Sequence, residues 1–255
     1  MQQPHSEIRF ANLRDIELAG ILSAPDGPPR AAAVIAHCFT CTSDYRINRE
    51  LARQLSRCGI ASLRFDFTGL GGSGGDFSNT NFTTMVEDLR AAAEWLSANY
   101  TAPALLVGHS FGGTASLFAA RELPPVKAVA TIGSVADPSS VLRHFDLKLD
   151  EINTQGQAEV LLSGRRFVFK RQFVDDVQGQ PWEDRIRNLG RALLVCHSPA
   201  DEIVGIEHAA QLFQTARHPK SFLSLDNAGH LFEQPGSAEY AARVICAWAS
   251  RYSGA

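Results

Sequence analysis

The sequence predicts an α/β protein: a mostly parallel central sheet with helices on both faces and a small helical cap. Three observations predict it. From Ala31 to Tyr252, apolar runs of strand length alternate with amphipathic stretches of helix length. One alternation holds a Gly-rich strand–turn–helix, Leu105–Gly113, reading L-L-V-G-H-S-F-G-G. The pattern breaks once, at Ala136-Asp137-Pro138, and resumes near residue 188. The expected organisation is therefore a core of residues 1–136 and 188–255, with 137–187 inserted as a cap or lid.

The elements follow in order. Ile8-Phe10 and Ile16-Leu18-Ile21 alternate in strand fashion around a turn at Asn12–Asp15, which predicts an antiparallel hairpin. Ala31–Ala36 is an uninterrupted apolar run, the mark of a strand buried on both faces. Tyr45–Cys58 places Ile47, Leu51 and Leu55 on one helical face, and Ile60–Phe65 is a second buried strand. Gly69–Gly75 is a glycine-rich loop without the Lys of a phosphate-binding loop or dinucleotide spacing, so it is expected to be a tight turn. Phe82–Tyr100 is a long helix with Val86, Leu89, Ala93 and Leu96 in register. After the strand at Ala104–Val107 and a helix over Gly113–Arg121 come Val126–Ile132 and Ala192–Cys196 as strands. Ile206–Ala216 is then a helix, Ser221–Leu225 a strand and Ser237–Tyr252 a last helix.

Composition narrows the class. The 255 residues are 45% hydrophobic and 20% charged with a net charge of −3, values of a globular protein with no electrostatic case for nucleic acid or an anionic membrane. Met1–His5 lacks the basic start and apolar stretch of a signal peptide, and no apolar run reaches membrane-span length. Five scattered cysteines, an odd number, argue against a disulfide framework and for a reducing, cytoplasmic setting. Cys38 and Cys41 form C-x-x-C, but no further ligands complete a zinc site, so loop packing is expected of them and no metal or cofactor.

Gly108-His109-Ser110-Phe111-Gly112 matches G-x-S-x-G, and its place between a buried strand and a helix is the context of a nucleophile elbow, with Ser110 at the tip. An initial hairpin, an elbow in the middle and an insertion after the next strand describe an α/β-hydrolase. A serine nucleophile needs a base, and the base an orienting acid, here in the chain order Ser, Asp/Glu, His. Asp201, after the strand Ala192–Cys196, is the expected acid, with Glu202 and Asp226 as alternatives. His230, after Ser221–Leu225, is the expected base. Both fall at carboxyl ends of strands, where parallel sheets present their sites. Of the eight histidines, His109 is expected to pack beside the nucleophile, His197 to hold the acid loop and His37 to brace the loop after the first buried strand. The oxyanion donors are expected to be the N–H groups of Phe111 and Phe39.

Several segments are more specific than the elbow. His37-Cys38-Phe39-Thr40-Cys41-Thr42-Ser43-Asp44, Leu63–Gly71, Ala128–Gly133, Arg171–Asp176, His197-Ser198-Pro199 and His218–Phe222 resemble α/β-hydrolase domains found fused to OsmC-like domains, over about residues 30–252. The resemblance implies a serine esterase domain with a short helical cap, acting on small or short-chain esters through Ser110, Asp201 and His230. Cys38 stands where the more general His-Gly motif has glycine. The sequence stops at Ala255 without room for an OsmC domain, so thiol peroxidase activity is not expected. A fusion or association with such a domain remains a possible partnership, as does a stand-alone chain.

The expected activity is hydrolysis of a small carboxylic ester through an acyl-enzyme. Cys38, His109, Phe167, Phe169 and Phe173 are candidate pocket residues, the three phenylalanines equally suited to anchoring the cap. A thioesterase, amidase or acyltransferase would use the same triad. A hydrolase-like domain that binds a partner without catalysis is the alternative from another class.

Overall fold

The chain begins with an antiparallel hairpin, β1 (His5–Ala11) and β2 (Glu17–Ser23), in a computed structural model that describes residues 5–145, 148–162 and 164–252. The start at Met1–Pro4 lies outside the described residues. Asn12 turns the hairpin: its side-chain oxygen accepts the N–H groups of Arg14 and Ile16, and its amide donates to the buried Asp88 at 2.7 Å. Asp88 in turn accepts the Thr68 N–H at 2.8 Å, so one carboxylate ties three distant segments together.

Strands β3 (Ala31–Ala36), β4 (Ile60–Phe65), β5 (Pro103–His109), β6 (Ala128–Ile132), β9 (Ala192–His197) and β10 (Lys220–Ser224) form the parallel part of the sheet. The order across its eight strands is β1-β2-β4-β3-β5-β6-β9-β10. Every residue of β3, β4, β6 and β9 is buried, as strands covered on both faces require, with Ser62, Arg64, Thr131 and His197 the polar residues among them. One covering layer holds α1 (Arg46–Arg57) packed on α8 (Ser237–Ala249). The other holds α2 (Phe82–Asn99) and α3 (Phe111–Ala120). Asn81 caps α2 with a reciprocal Asn81–Thr84 box, which starts the helix where its apolar register begins. Helix α7 (Glu207–Thr215) lies beside β9.

Between β6 and β9 the chain forms a 3-10 turn (Pro138–His144), α4 (Lys148–Gln155), strands β7 (Gln157–Leu162) and β8 (Arg165–Lys170), α5 (Arg171–Gln178) and α6 (Trp182–Arg187). To the expected helices it thus adds a two-stranded antiparallel sheet. Ala158 and Val160 of β7 and Phe167 and Phe169 of β8 turn inward, while Gln157, Glu159, Leu161 and Val168 alternate outward. Helix α6 packs on α3 and α7.

The cysteines require a correction. Cys38 and Cys41 are joined in a disulfide, whereas cysteine number and scatter predicted none. Counting cysteines cannot register two residues brought together by one tight turn. Cys58, Cys196 and Cys246 are free.

Candidate active site

Ser110 sits at the junction of β5 and α3 with φ 55° and ψ −128°, a left-handed conformation unusual for a residue with a side chain. Its N–H is held by the Ile132 carbonyl of β6 at 2.7 Å, and its own carbonyl accepts the Gly113 N–H at 2.9 Å. Gly112 makes the junction sterically feasible, since a Cβ there would collide with the carbonyl oxygens of Ala36 and His37. The helix can therefore start at Phe111 and press its N-terminus against the loop that follows β3.

Three loops at the carboxyl ends of the strands converge on Ser110. His230 Nε2 lies 3.0 Å from Ser110 Oγ, and His230 Nδ1 lies 2.7 Å from Asp201 Oδ2. With Nδ1–H donating to the carboxylate, Nε2 is left as acceptor for the serine hydroxyl. The other Asp201 oxygen accepts the N–H groups of Ile203 at 2.9 Å and Val204 at 2.8 Å. Burial opposes charge on Asp201, but its bond to His230, the imidazole charge and the two backbone donors outweigh it, so its carboxyl is held below the ordinary value. Glu202 is exposed. Asp226, also exposed, accepts the Ser224 hydroxyl instead. Gly133 follows β6 with φ +55°, and a Cβ there would stand 3.1 Å from Asp201 Oδ2 and 3.5 Å from His230 Nδ1.

Three further histidines, all fully buried, end three of these strands or begin the loops beyond them. His37 donates Nδ1–H to the Cys38 carbonyl at 2.7 Å and accepts the Phe67 N–H at Nε2, 3.2 Å away. His109 donates Nε2–H to the His230 carbonyl at 2.8 Å. His197 donates Nε2–H to the Val204 carbonyl at 2.8 Å. Burial lowers all three from the ordinary imidazole value, His109 to about 3 with the nearby His230 as second cause. They are neutral braces, each holding one of the converging loops.

Beside Ser110 opens a cavity of about 300 Å³. Its apolar walls include Val135, Val141, Leu161, Leu162, Ile203 and Leu231, with Ser110 and His230 exposed to it and His144 as a further polar wall residue. Cys38, Phe39 and Thr40 close one side, and Phe111 adjoins the serine. Among the described hydrogen bonds, none uses the N–H of Phe39 or of Phe111. Phe111 opens α3, where the first N–H groups have no helical acceptor.

Cys38 thus lines the cavity, whereas His109, Phe167, Phe169 and Phe173 do not. The three phenylalanines are 8%, 2% and 2% exposed and belong to an aromatic cluster behind the cavity wall. Phe169 lies 5.7 Å from Phe39, 4.5 Å from Phe145 and 5.0 Å from Phe173, and Phe167 lies 4.8 Å from Phe77. They anchor the β6–β9 segment to the core. The true wall residues carry no chemical signature in the sequence.

Residues 27–154, half of the chain, match the family described as serine aminopeptidase, S33. The chain belongs to this α/β-hydrolase family. It is 47% identical to the esterase domain of a Rhodothermus marinus protein, over 99% of this chain and 100% of that one, with a TM-score of 0.80. Est1E of Butyrivibrio proteoclasticus, solved with ferulic acid bound, shares the α/β-hydrolase fold at a TM-score of 0.84 and 21% identity, covering 96% of this chain and 98% of that one. A protein of Mycobacterium tuberculosis described as uncharacterised is 27% identical over 76% of this chain. The chain spans 61% of that relative's length. Serine hydrolases and esterases of this fold are therefore its relatives. Among the described residues no helix is long and apolar enough to cross a membrane.

Proposed function

We propose that the protein is a carboxylic-ester hydrolase in which Ser110 is the nucleophile, His230 the base and Asp201 the orienting acid. The observation that carries this reading is the imidazole of His230, hydrogen-bonded to Ser110 at 3.0 Å on one side and to Asp201 at 2.7 Å on the other, at the mouth of an apolar cavity. The 47% identity to an esterase domain supports the choice of ester.

In this mechanism Ser110 Oγ attacks the ester carbonyl while its proton passes to His230 Nε2. Asp201 stabilises the imidazolium and fixes its tautomer. The oxyanion is held by the N–H groups of Phe39 and Phe111, the latter at the positive end of α3. His230 then protonates the departing alkoxide. In the second half, a water gives its proton to His230, attacks the acyl-enzyme and releases the acid. A cavity of about 300 Å³ stands at the small end for ligand pockets and favours small or short-chain esters. Residues 137–187 serve as the cap that roofs it.

The test is turnover of a short-chain chromogenic ester by the wild type and Ser110→Ala, with labelling by a fluorophosphonate probe. The proposal expects near-complete loss of turnover, an unchanged fold and labelling confined to Ser110. Retained turnover in Ser110→Ala would overturn it, and absence of labelling would favour a non-catalytic partner-binding role. Matched ester, thioester and amide substrates separate the bond types, since all three share one acyl-enzyme. A kcat/KM that favours the amide or thioester removes the esterase label and leaves the triad.

A further inference from the structure

The loop from His37 to Ser43 carries the Phe39 N–H that the esterase reading assigns to the oxyanion, and it is fixed firmly at its two ends. At the start, His37 bonds to the Cys38 carbonyl and to the Phe67 amide. At the finish, the Ser43 N–H donates to Asp66 Oδ1 at 2.6 Å. Between them, the Cys38–Cys41 turn is closed twice. The Cys41 N–H donates to the Cys38 carbonyl at 3.2 Å, the long end of the usual range, and the disulfide joins the same two residues. The turn contains Thr40 at φ +66°, a left-handed conformation that a β-branched residue leaves readily when nothing holds it there. From above, Arg165 of β8 donates to the Thr40 carbonyl at 3.0 Å.

We propose that the Cys38–Cys41 disulfide is a positioning element of the oxyanion hole, and that its reduction by a small thiol reagent lowers the rate of the chemical step while leaving substrate binding largely intact. The inference rests on the reading of Phe39 as oxyanion donor. With the bridge closed, the peptide joining Cys38 and Phe39 cannot rotate independently of Cys41, and its N–H is aimed before substrate arrives. With the bridge open, the 3.2 Å hydrogen bond, the Arg165 contact and the packing of the Phe39 ring on Phe77, Phe111, Phe169 and Phe173 still oppose relaxation of Thr40, so the loss of aim is partial. The wall residues Val135, Val141, Leu161 and Leu162 belong to other segments and stay in place, which separates kcat from KM.

Access favours a small reductant. Cys38 and Cys41 are 3% and 6% exposed, yet Cys38 is part of the cavity wall. A dithiol small enough to enter the cavity attacks one sulfur as its thiolate, breaking the Cys38–Cys41 bond and forming a mixed disulfide. Its second thiol then closes the reagent's own disulfide and releases the second cysteine. Two electrons pass from the dithiol to the protein, and both cysteines end as thiols.

The experiment compares air-oxidised protein with protein reduced by dithiothreitol and desalted without oxygen, thiols being located by alkylation and mass spectrometry. Reduction should lower kcat about tenfold, less than the 10²–10³ typical of a lost donor. KM should stay within about twofold and kcat should recover on reoxidation, because the other oxyanion donor and the apolar walls from Val135, Val141, Leu161 and Leu162 are untouched, although Cys38, Phe39 and Thr40 close one side. Cys41→Ser should remain at the reduced level and ignore the dithiol, whereas Cys58→Ser, which alters an exposed cysteine outside the site, should respond like the wild type. If Cys41→Ser does not fold, reversibility in the wild type decides. The proposal is overturned by free Cys38 and Cys41 thiols in the oxidised preparation, by an unchanged kcat after full reduction, by a loss carried in KM, or by a loss that reoxidation does not restore. Fluorophosphonate labelling separates the two levels: labelling and equal turnover in both redox states sink this inference alone, and no labelling in either state sinks the esterase reading with it.

Discussion

The imidazole of His109 lies against that of His230, ring centres 4.9 Å apart, and donates its Nε2–H to the His230 backbone carbonyl at 2.8 Å. The residue inside the β5–α3 junction thus holds the loop that carries His230. Its Nδ1 is buried without a partner, which a neutral ring tolerates and a charged one does not. His109→Ala should lower kcat about tenfold by freeing the His230 loop. His109→Gln, which keeps an N–H donor, should restore most of it. Steady-state kinetics on the two variants checks this, and equal losses in both would assign His109 to packing alone.

The buried histidines set the response to acid. The His109 value falls from 6.5 to about 3, so its contribution to stability is complete above pH 6.5 and is lost as the pH falls towards 3. His37 and His197, lowered by burial, act with the same sign, and Asp201 adds a loss at lower pH as its carboxylate is protonated. Urea unfolding between pH 6.5 and 4.5 should show steadily falling stability. Removing one such histidine should reduce the slope by about 1.4 kcal/mol per pH unit. His109→Gln is the variant to compare, and an identical slope would show that its ring does protonate in the folded protein.

Gly133 tests how closely Asp201 and His230 are confined. Alanine at φ +55° costs about 1 kcal/mol of backbone strain, and its methyl would meet Asp201 Oδ2 at 3.1 Å. Gly133→Ala should lower kcat about tenfold or more, with a modest fall in melting temperature. A normal kcat would mean that the Asp201–His230 pair tolerates displacement.

Two residues of the cap hairpin should separate stability from selectivity. Phe169, 2% exposed among Phe39, Phe145 and Phe173, should cost about 3–5 kcal/mol when cut to alanine. Leu161, 65% exposed at the cavity, should change stability by less than about 0.5 kcal/mol on the same substitution. Its effect should appear as a several-fold change in kcat/KM between short and longer ester chains. Chemical denaturation and a chain-length series measure the two.

Much of this architecture was legible in the sequence for physical reasons. The run Ala31–Ala36 can only be buried on both faces, and it is β3. The loops of Ser110 and Asp201 each follow such a buried run, whereas the loop of His230 follows the partly exposed β10 and was placed by chain order after it. The start of α3 was less legible, because Gly112 and Gly113 are poor helix formers. Glycine is required there by packing: Gly112 approaches the end of β3, and Gly113 lies against Ser134 and Gly108, more closely than a side chain permits. The β7–β8 hairpin was missed because β7 is short, buries only Ala158 and Val160, and ends in Leu161 and Leu162, which blur its alternation. The cavity walls come from the ends of unrelated segments, such as Val135, Leu161 and Leu231, and a sequence records no such convergence.

The phenylalanine cluster joins Phe39, Phe77 and Phe111, from loops and a helix of the core, to Phe145, Phe169 and Phe173 of the inserted segment. Rings that stack on one another across a boundary melt together. Lifting the roof as a rigid flap would strip several large apolar surfaces at once, so the insertion and the sheet beneath it unfold as one cooperative unit. Local motion is then confined to the cavity mouth, where Leu161 and Ile203 stand in solvent, rather than shared by the inserted segment as a whole.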